Sequence, residues 1–297
     1  MAAKMHAKMH ADEVEIPTSL VAQLLADQFP HWANLPLVAV PSAGTDHALY
    51  RLGDELAARL PRIHWAVGQV EQELYWLPKL APHLPLAIPE PLALGEPGHG
   101  YPWRWSVYCW LEGVNATPEQ IANSRQAAVD LAEFVAAMQQ IDPTGAPTGR
   151  GVPLAERDAT VRSAIASLHD SYDADILTAA WEKALHTRPW PGPPIWNHGD
   201  LHTGNLLAHN GRLAAVIDFG CMGVGDPACD VMAAWLYLSA DSRQTFRDVL
   251  QVDDDTWARG KGWALSMGLM ALPYYRTTNP VLASIGQRAI EEVLADP

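Results

Sequence analysis

The sequence predicts an α+β protein of two unequal lobes, a small β-rich lobe followed by a larger, mainly helical one. Strand-like and turn-rich segments crowd the chain ahead of Gly113. A dense aromatic stretch, Trp105 to Leu111, then ends at Glu112-Gly113, and from there helical periodicity dominates to the carboxy terminus. The 297 residues suit one large domain or two lobes. The boundary is expected at 1–111 and 112–297.

Each element follows from its local pattern. From Thr18 to Gln28, Leu20, Val21, Leu24 and Leu25 share one helical face, with Thr18 or Ser19 as the expected cap. Leu37 to Val40 and Ala48 to Leu52 read as strands. Gly53-Asp54 supplies a two-residue turn into Glu55 to Leu60, which suggests a hairpin although propensity alone favours helix there. Val67 to Leu80 carries Val70, Leu74 and Leu77 at helical spacing, and the Pro-rich passage Pro82 to Pro102 reads as extended segments and turns. One long helix is expected over Pro118 to Gln140, with further helices at Leu154 to His169 and Ala174 to His186. A strand-and-hairpin region spans Ile195 to Asp218, and the chain from Asp230 is helical again, with Asn279-Pro280 as cap and first-turn proline.

Composition narrows the partners. A formal net charge of −14 opposes nonspecific nucleic-acid binding, which needs clustered Lys and Arg. Cations, metal-bound anions and neutral small molecules remain. The three cysteines, Cys109, Cys221 and Cys229, form no C-x-x-C pair and read as reduced thiols in a cytoplasmic protein. Met1 to Ile16 lacks the apolar core of a secretory signal, and no uncharged apolar run reaches the roughly 20 residues of a membrane helix. Trp263 to Tyr275 comes nearest, broken by Pro273. The near-repeat at residues 4–11 reads as a frayed end, with a metal site at His6 and His10 as its alternative.

The chemistry concentrates between Trp196 and Gly220. Asp200 and Asn205 stand five residues apart, and Asp218 follows thirteen residues after Asn205. Asn210-Gly211, a strong hairpin signal, folds the chain back so that Asn205 and Asp218 emerge at one end. An amide oxygen and a carboxylate then suit a hard cation such as Mg²⁺, and Asp200 is placed to accept a proton from a hydroxyl. Phosphoryl transfer demands this combination. The order His198-Gly199-Asp200, Asn205, Asp218-Phe219-Gly220 parallels the kinase sequence of catalytic loop and D-F-G.

These residues resemble the aminoglycoside phosphotransferase and choline kinase-like family of small-molecule kinases, whose hallmark is H-G-D-x-x-x-x-N followed by I-D-[FW]. Gly225-Asp-Pro-Ala-Cys-Asp230 is similar to the family's G-D-P-x-x-D. The resemblance implies a protein-kinase-like fold with ATP and Mg²⁺ held between the lobes. It implies Asp200 as catalytic base, Asn205 and Asp218 as metal ligands, and His198 as support of the catalytic loop. Asp226 and Asp230 are expected to brace that loop.

In the amino-terminal lobe the expected phosphate-binding lysine is absent. Arg59 is the nearest substitute, with Arg62 as runner-up, and arginine's planar fork suits phosphate. Glu73 resembles the pairing glutamate, with Glu71 as the alternative. Ser42, Gly44 and Thr45 form a degenerate phosphate loop. Cys109 to Leu111 would supply hinge backbone groups to the base, so that GTP as well as ATP remains open.

Two other readings stand beside this one. A metallophosphoesterase could use His198, Asp200 and His202, and a kinase-like binding protein could lack turnover altogether. Within kinases, the acceptor is expected to be a small hydroxyl compound, foremost an aminoglycoside-type amino sugar. Asp253-Asp254-Asp255, Glu291 and Glu292 suggest a cationic acceptor or merely a solvated surface. Trp235, Tyr237, Trp263, Tyr274 and Tyr275 suggest either a macrolide-sized pocket or core packing.

Overall fold

The structure, a computed structural model, describes residues 12–41 and 44–296. Ser42 and the His6/His10 near-repeat lie outside the described residues. The chain divides into two compact units. One runs to Pro82 and includes Ala87–Glu112; the other takes His83–Leu86 and everything from Gly113.

The first unit is built on a five-stranded antiparallel sheet. Helix α1 (Thr18–Gln28) precedes strands β1 (Leu37–Ala39), β2 (His47–Leu52) and β3 (Leu56–Pro61), then helix α2 (Gln69–Leu80), β4 (Pro91–Gly95) and β5 (Trp105–Cys109). The strand order is β1-β2-β3-β5-β4. Gly53, at φ +61°, turns β2 into β3 and sets the register Leu52↔Leu56 through His47↔Pro61. Val21, Leu24 and Leu25 of α1 pack with Tyr50, Leu52, Leu60 and Trp105. Each such side chain removed from water contributes about 1.5–3 kcal/mol.

Two local expectations change here. Pro17, not Thr18 or Ser19, precedes α1 as its cap, and no side chain caps the helix. The buried stripe of α2 is Val70, Glu73, Leu77 and Leu80, so a carboxylate takes the place expected for Leu74. A charge is tolerated on that stripe only because partners satisfy it.

The second unit holds β6 (Val114–Asn115), α3 (Pro118–Ile121), α4 (Arg125–Gln139), α5 (Asp158–Ser167), α6 (Ala174–Leu185), β7 (Ile195–Asn197), β8 (Leu206–His209), β9 (Arg212–Val216) and β10 (Gly223–Gly225). Helices α7 (Ala228–Val231), α8 (Ala233–Leu236), α9 (Ala240–Leu250), α10 (Asp254–Tyr275) and α11 (Pro280–Ala295) complete it. The expected single helix over Pro118 to Gln140 is two, because the Ser124 side chain accepts the Ala127 amide and starts α4 afresh. Leu154–Arg157 is a 3₁₀ turn that leads into α5. Asn279 caps α11 ahead of Pro280.

Helix α10 runs through Pro273 to Tyr275. Among the described residues no helix is long and apolar enough to cross a membrane. Trp235, Tyr237 and Trp263 are fully buried, which settles them as core rather than pocket lining; Tyr274 remains exposed.

Candidate active site

The hairpin β8–β9 places the metal-binding candidates. Asn210 and Gly211 both adopt positive φ (51° and 77°), the geometry of a type I′ turn. The ladder runs from His209↔Arg212 to Leu206↔Val216, with a bulge between Leu207 and Ala208. At its open end the Ile217 amide donates to the Asn205 carbonyl (2.9 Å), so Asn205 faces the residue preceding Asp218. Asp218 itself sits at φ 62°, a left-handed conformation that aspartate tolerates better than most side chains.

Asn205 and Asp200 are joined directly. The Asn205 Nδ2 donates to the Asp200 carbonyl (2.9 Å) and to Asp200 Oδ2 (3.2 Å). This fixes the amide so that Oδ1 is its acceptor end, the donor type a hard cation takes. One amide oxygen and the Asp218 carboxylate fit Mg²⁺, which is commonly held by one or two protein oxygens with phosphate and water supplying the rest. Among the described residues no group of three or more His, Cys, Asp or Glu forms a metal cage.

The loop that carries Asp200 is clamped from below. Asp230, fully buried, accepts the His198 amide on Oδ2 (2.7 Å) and the Gly199 amide on Oδ1 (2.8 Å). Burial pushes the Asp230 carboxyl up to about 6, against the pull of these two amides. Asp226 accepts the Ala228 amide at the start of α7 and pairs with the buried Arg259 (2.7 Å). Both aspartates therefore brace the backbone.

His198 is wholly buried. Its Nε2 bonds the Ile217 carbonyl (3.1 Å), and its Nδ1 accepts the Asp200 amide (3.2 Å). Both ring nitrogens are thus engaged, which makes His198 a structural prop of the loop and removes it as a metal ligand. The metallophosphoesterase reading loses a required ligand on that ground. Burial lowers the His198 pKa to about 4, against the nearby Asp200 and Asp218 carboxylates.

Asp200 has a partner that the sequence reading did not find. Arg150 Nη1 donates to Asp200 Oδ1, while Oδ2 faces Asn205 and, at 3.6 Å, His202 Nε2. Burial opposes the Asp200 charge, but the Arg150 guanidinium, aided by His202 and His198, outweighs it and holds the carboxyl far below the usual carboxylate range. The available signal was a matched pair of G-x-G segments, Gly149-Arg150-Gly151 and Gly223-Val224-Gly225.

In the first unit, Arg59 of β3 pairs with Glu73 of α2 at 2.5 Å, with 13% and 2% of their side chains exposed. Tyr108 of β5 donates its hydroxyl to the same Glu73 oxygen. Glu71 instead meets Arg104 at 3.3 Å, and the Arg62 backbone bonds Asp46. Gly44 and Thr45 lie in the β1–β2 connection, where the Thr45 hydroxyl donates to Asp46. Strand β5 ends at Cys109, two residues short of the expected end at Leu111. The amides of Cys109 and Trp110 are taken by the carbonyls of Glu90 and Glu55, so they are not open hinge donors; Leu111 lies beyond the strand.

The acidic clusters resolve as surface structure. Asp253 caps α10, Asp254 pairs with Arg247, Asp255 with Arg188, and Glu292 with Arg243 and Arg288. Glu291 accepts from Gln287. Asp254, Asp255 and Glu292 thus have arginine partners, while Asp253 and Glu291 accept from neutral donors.

The phosphotransferase enzyme family model (APH) matches residues 38–263. No curated protein sequence matches the chain. Among solved structures, the GDP complex of wild-type aminoglycoside 2′-phosphotransferase IIIa aligns at TM-score 0.75 and 18% identity, over 95% of this chain and 99% of that one. The streptomycin–ATP complex of APH(2″)-IIa aligns at TM-score 0.61 and 18% identity, over 86% and 90%. The macrolide 2′-phosphotransferase of Brachybacterium faecium aligns at TM-score 0.62 and 21% identity, over 92% and 97%. These likenesses show a shared kinase-like α+β fold. With the family model spanning most of its length, the chain belongs to the phosphotransferase enzyme family.

Proposed function

We propose that the chain transfers the γ-phosphoryl group of ATP to a hydroxyl of a small molecule, with an aminoglycoside-type amino sugar as the acceptor. The observation that carries the transfer chemistry is the Asp200–Asn205 unit. A carboxylate held ionised is joined to an amide whose oxygen is set to ligate, on a loop whose backbone Asp230 clamps. The acceptor reading is supported by the names of the similar structures, which include a complex with streptomycin and ATP.

Asp200 takes the proton as the acceptor O–H bond breaks. The acceptor oxygen bonds to the γ-phosphorus, and the bond to the bridging oxygen breaks, with its electron pair leaving on ADP. Asn205 Oδ1 and the Asp218 carboxylate would hold Mg²⁺, which when bound neutralises charge on the phosphate oxygens. Arg59, steadied by Glu73 and Tyr108, is assigned to the nucleotide phosphates in place of lysine. With Ser42, Gly44 and Thr45 we associate the phosphate loop, and with Leu111 the hinge contact to the base. GTP is the second donor, because the similar aminoglycoside 2′-phosphotransferase IIIa was solved with GDP. We read the reaction as cytoplasmic, a reading supported by the use of ATP and by cysteines that form no disulfide among the described residues.

The test is a coupled nucleotide-release assay with Mg·ATP and Mg·GTP across amino sugars, macrolides and small alcohols, with the phosphorylated product identified by mass. Acceptor-dependent ADP release is expected, strongest with an amino sugar. Nucleotide binding without turnover on any acceptor would establish the inactive binding protein instead.

A further inference from the structure

Arg150 reaches Asp200 because the backbone is built to bring it there. Strand β10 pairs on one side with β7, which runs directly into His198-Gly199-Asp200. On its other side Thr148 forms a parallel bridge with Val224. The ladder continues with Val224 amide to Pro147 carbonyl (2.8 Å), Gly149 amide to Val224 carbonyl (3.1 Å) and Asp226 amide to Gly151 carbonyl (2.7 Å).

The approach is closer than any side chain permits. A Cβ on Gly223 would lie 2.4 Å from the Gly149 nitrogen, and one on Gly225 would lie 2.3 Å from the Gly151 carbonyl oxygen. The two glycine pairs flank Arg150 and press its segment against the strand beside the Asp200 loop. Such contacts fix the Arg150 backbone at one distance from the carboxylate.

Arg150 Nη1 then bonds Asp200 Oδ1, while Asn205 Nδ2 bonds Oδ2. One donor per oxygen defines the plane of the carboxylate and leaves further lone pairs for an incoming hydroxyl. The pair is not sealed: Arg150 and Asp200 side chains are 35% and 21% exposed. The guanidinium is therefore neither a buried structural bolt nor a loose surface charge.

We propose that Arg150 is the positioning residue of the transfer reaction, holding the Asp200 carboxylate in the plane from which it takes the acceptor's proton. The assignment rests on the phosphotransfer reading above. It adds a residue, and with it the Gly149-Arg150-Gly151 segment, to the machinery of that reaction.

The experiment compares wild type with Arg150→Met, Arg150→Ala and Arg150→Lys. Steady-state nucleotide turnover with Mg·ATP, binding of Mg·ADP by calorimetry and thermal melting are measured together. The expected result for Arg150→Met is a fall in kcat of roughly 100-fold, the scale of a reacting group misplaced by about 1 Å, with KM for ATP and Mg·ADP affinity unchanged. Arg150→Lys should regain part of the rate, and methylguanidine should restore part of it to Arg150→Ala. A structural role would move melting and binding together and would show no rescue, and that result overturns the proposal. So does an Arg150→Met variant whose kcat matches or exceeds wild type. A wild-type chain that turns over no nucleotide with any acceptor overturns the phosphotransfer reading itself, and the positioning role with it.

Discussion

Two of the molecule's arginine–carboxylate pairs, one in each unit, differ in what surrounds them. Arg59 and Glu73 lie 14 residues apart, and the carboxylate is 2% exposed, with Tyr108 closing on it. Arg150 and Asp200 lie 50 residues apart, and both side chains keep a fifth or more of their surface open. In the first the carboxylate is almost wholly enclosed and the arginine is mostly buried. The second keeps part of both side chains open to solvent. Similar chemistry therefore stands in two settings, and exposure tells them apart.

The largest expected effect tests the reactive side. Asp200→Asn should lower kcat for phosphotransfer by about 1,000-fold while leaving Mg·ADP affinity near wild type, since general-base catalysis contributes roughly 10²–10⁴. Titration calorimetry beside the turnover assay measures both. Retained turnover in that variant would remove the distinction between the two pairs.

The sealed pair should respond through stability. Glu73→Ala removes the buried carboxylate that Arg59 and Tyr108 face, which is expected to cost about 3–5 kcal/mol in urea unfolding of the amino-terminal unit. A loss below about 1 kcal/mol would class the pair with solvent-exposed ion pairs instead.

A third prediction concerns pH. His198 titrates near 4 when folded against about 6.5 when unfolded, so the unfolded chain binds the extra proton between those values. Its contribution is complete above pH 6.5 and is lost as pH falls toward 4, by about 3 kcal/mol. Asp230 works in the opposite sense, because its raised pKa makes the folded state take up a proton as pH falls through about 6. Unfolding free energies of wild type and His198→Gln, measured from pH 7 to 4, isolate the histidine as their difference. A constant difference across that range would contradict the assignment.

The smallest effect lies at the hairpin tip. Gly211→Ala meets no atom within 4 Å, but φ +77° carries a cost of about 1 kcal/mol for a Cβ. Thermal melting should show a small decrease, with kcat scarcely changed.

How much of this was legible beforehand follows from the range of each interaction. The β2–β3 hairpin, α1, α6 and the Asn279-Pro280 start of α11 were readable because turns, caps and periodicity act over a few residues. The Arg59–Glu73 pair is legible because an arginine on a strand and a glutamate on the following helix have complementary charge. Glu73 sat on the apolar stripe of α2 all the same, displacing Leu74, because pairing decides whether a carboxylate can be buried. The break in the helix at Ser124 shows a local cap overriding a long apolar pattern. The acids at 253–255 were ambiguous in sequence because their arginine partners, Arg188 and Arg247, come from other segments.

The sequence by itself determined the chemistry-bearing order from His198 to Gly220, since one Asn-Gly turn and thirteen residues suffice to bring Asn205 beside the residue before Asp218. A change of character at Gly113 is also legible in the sequence, whereas the grouping of His83–Leu86 with the second unit is not. Only the tertiary structure decided that Trp235, Tyr237 and Trp263 are core, that His198 is a buried prop, and that Asp200 meets Arg150. The reason is physical. Hydrogen-bonded turns and helical faces are set by neighbours in the chain, whereas burial and long-range ion pairing depend on which distant segments the packing brings together.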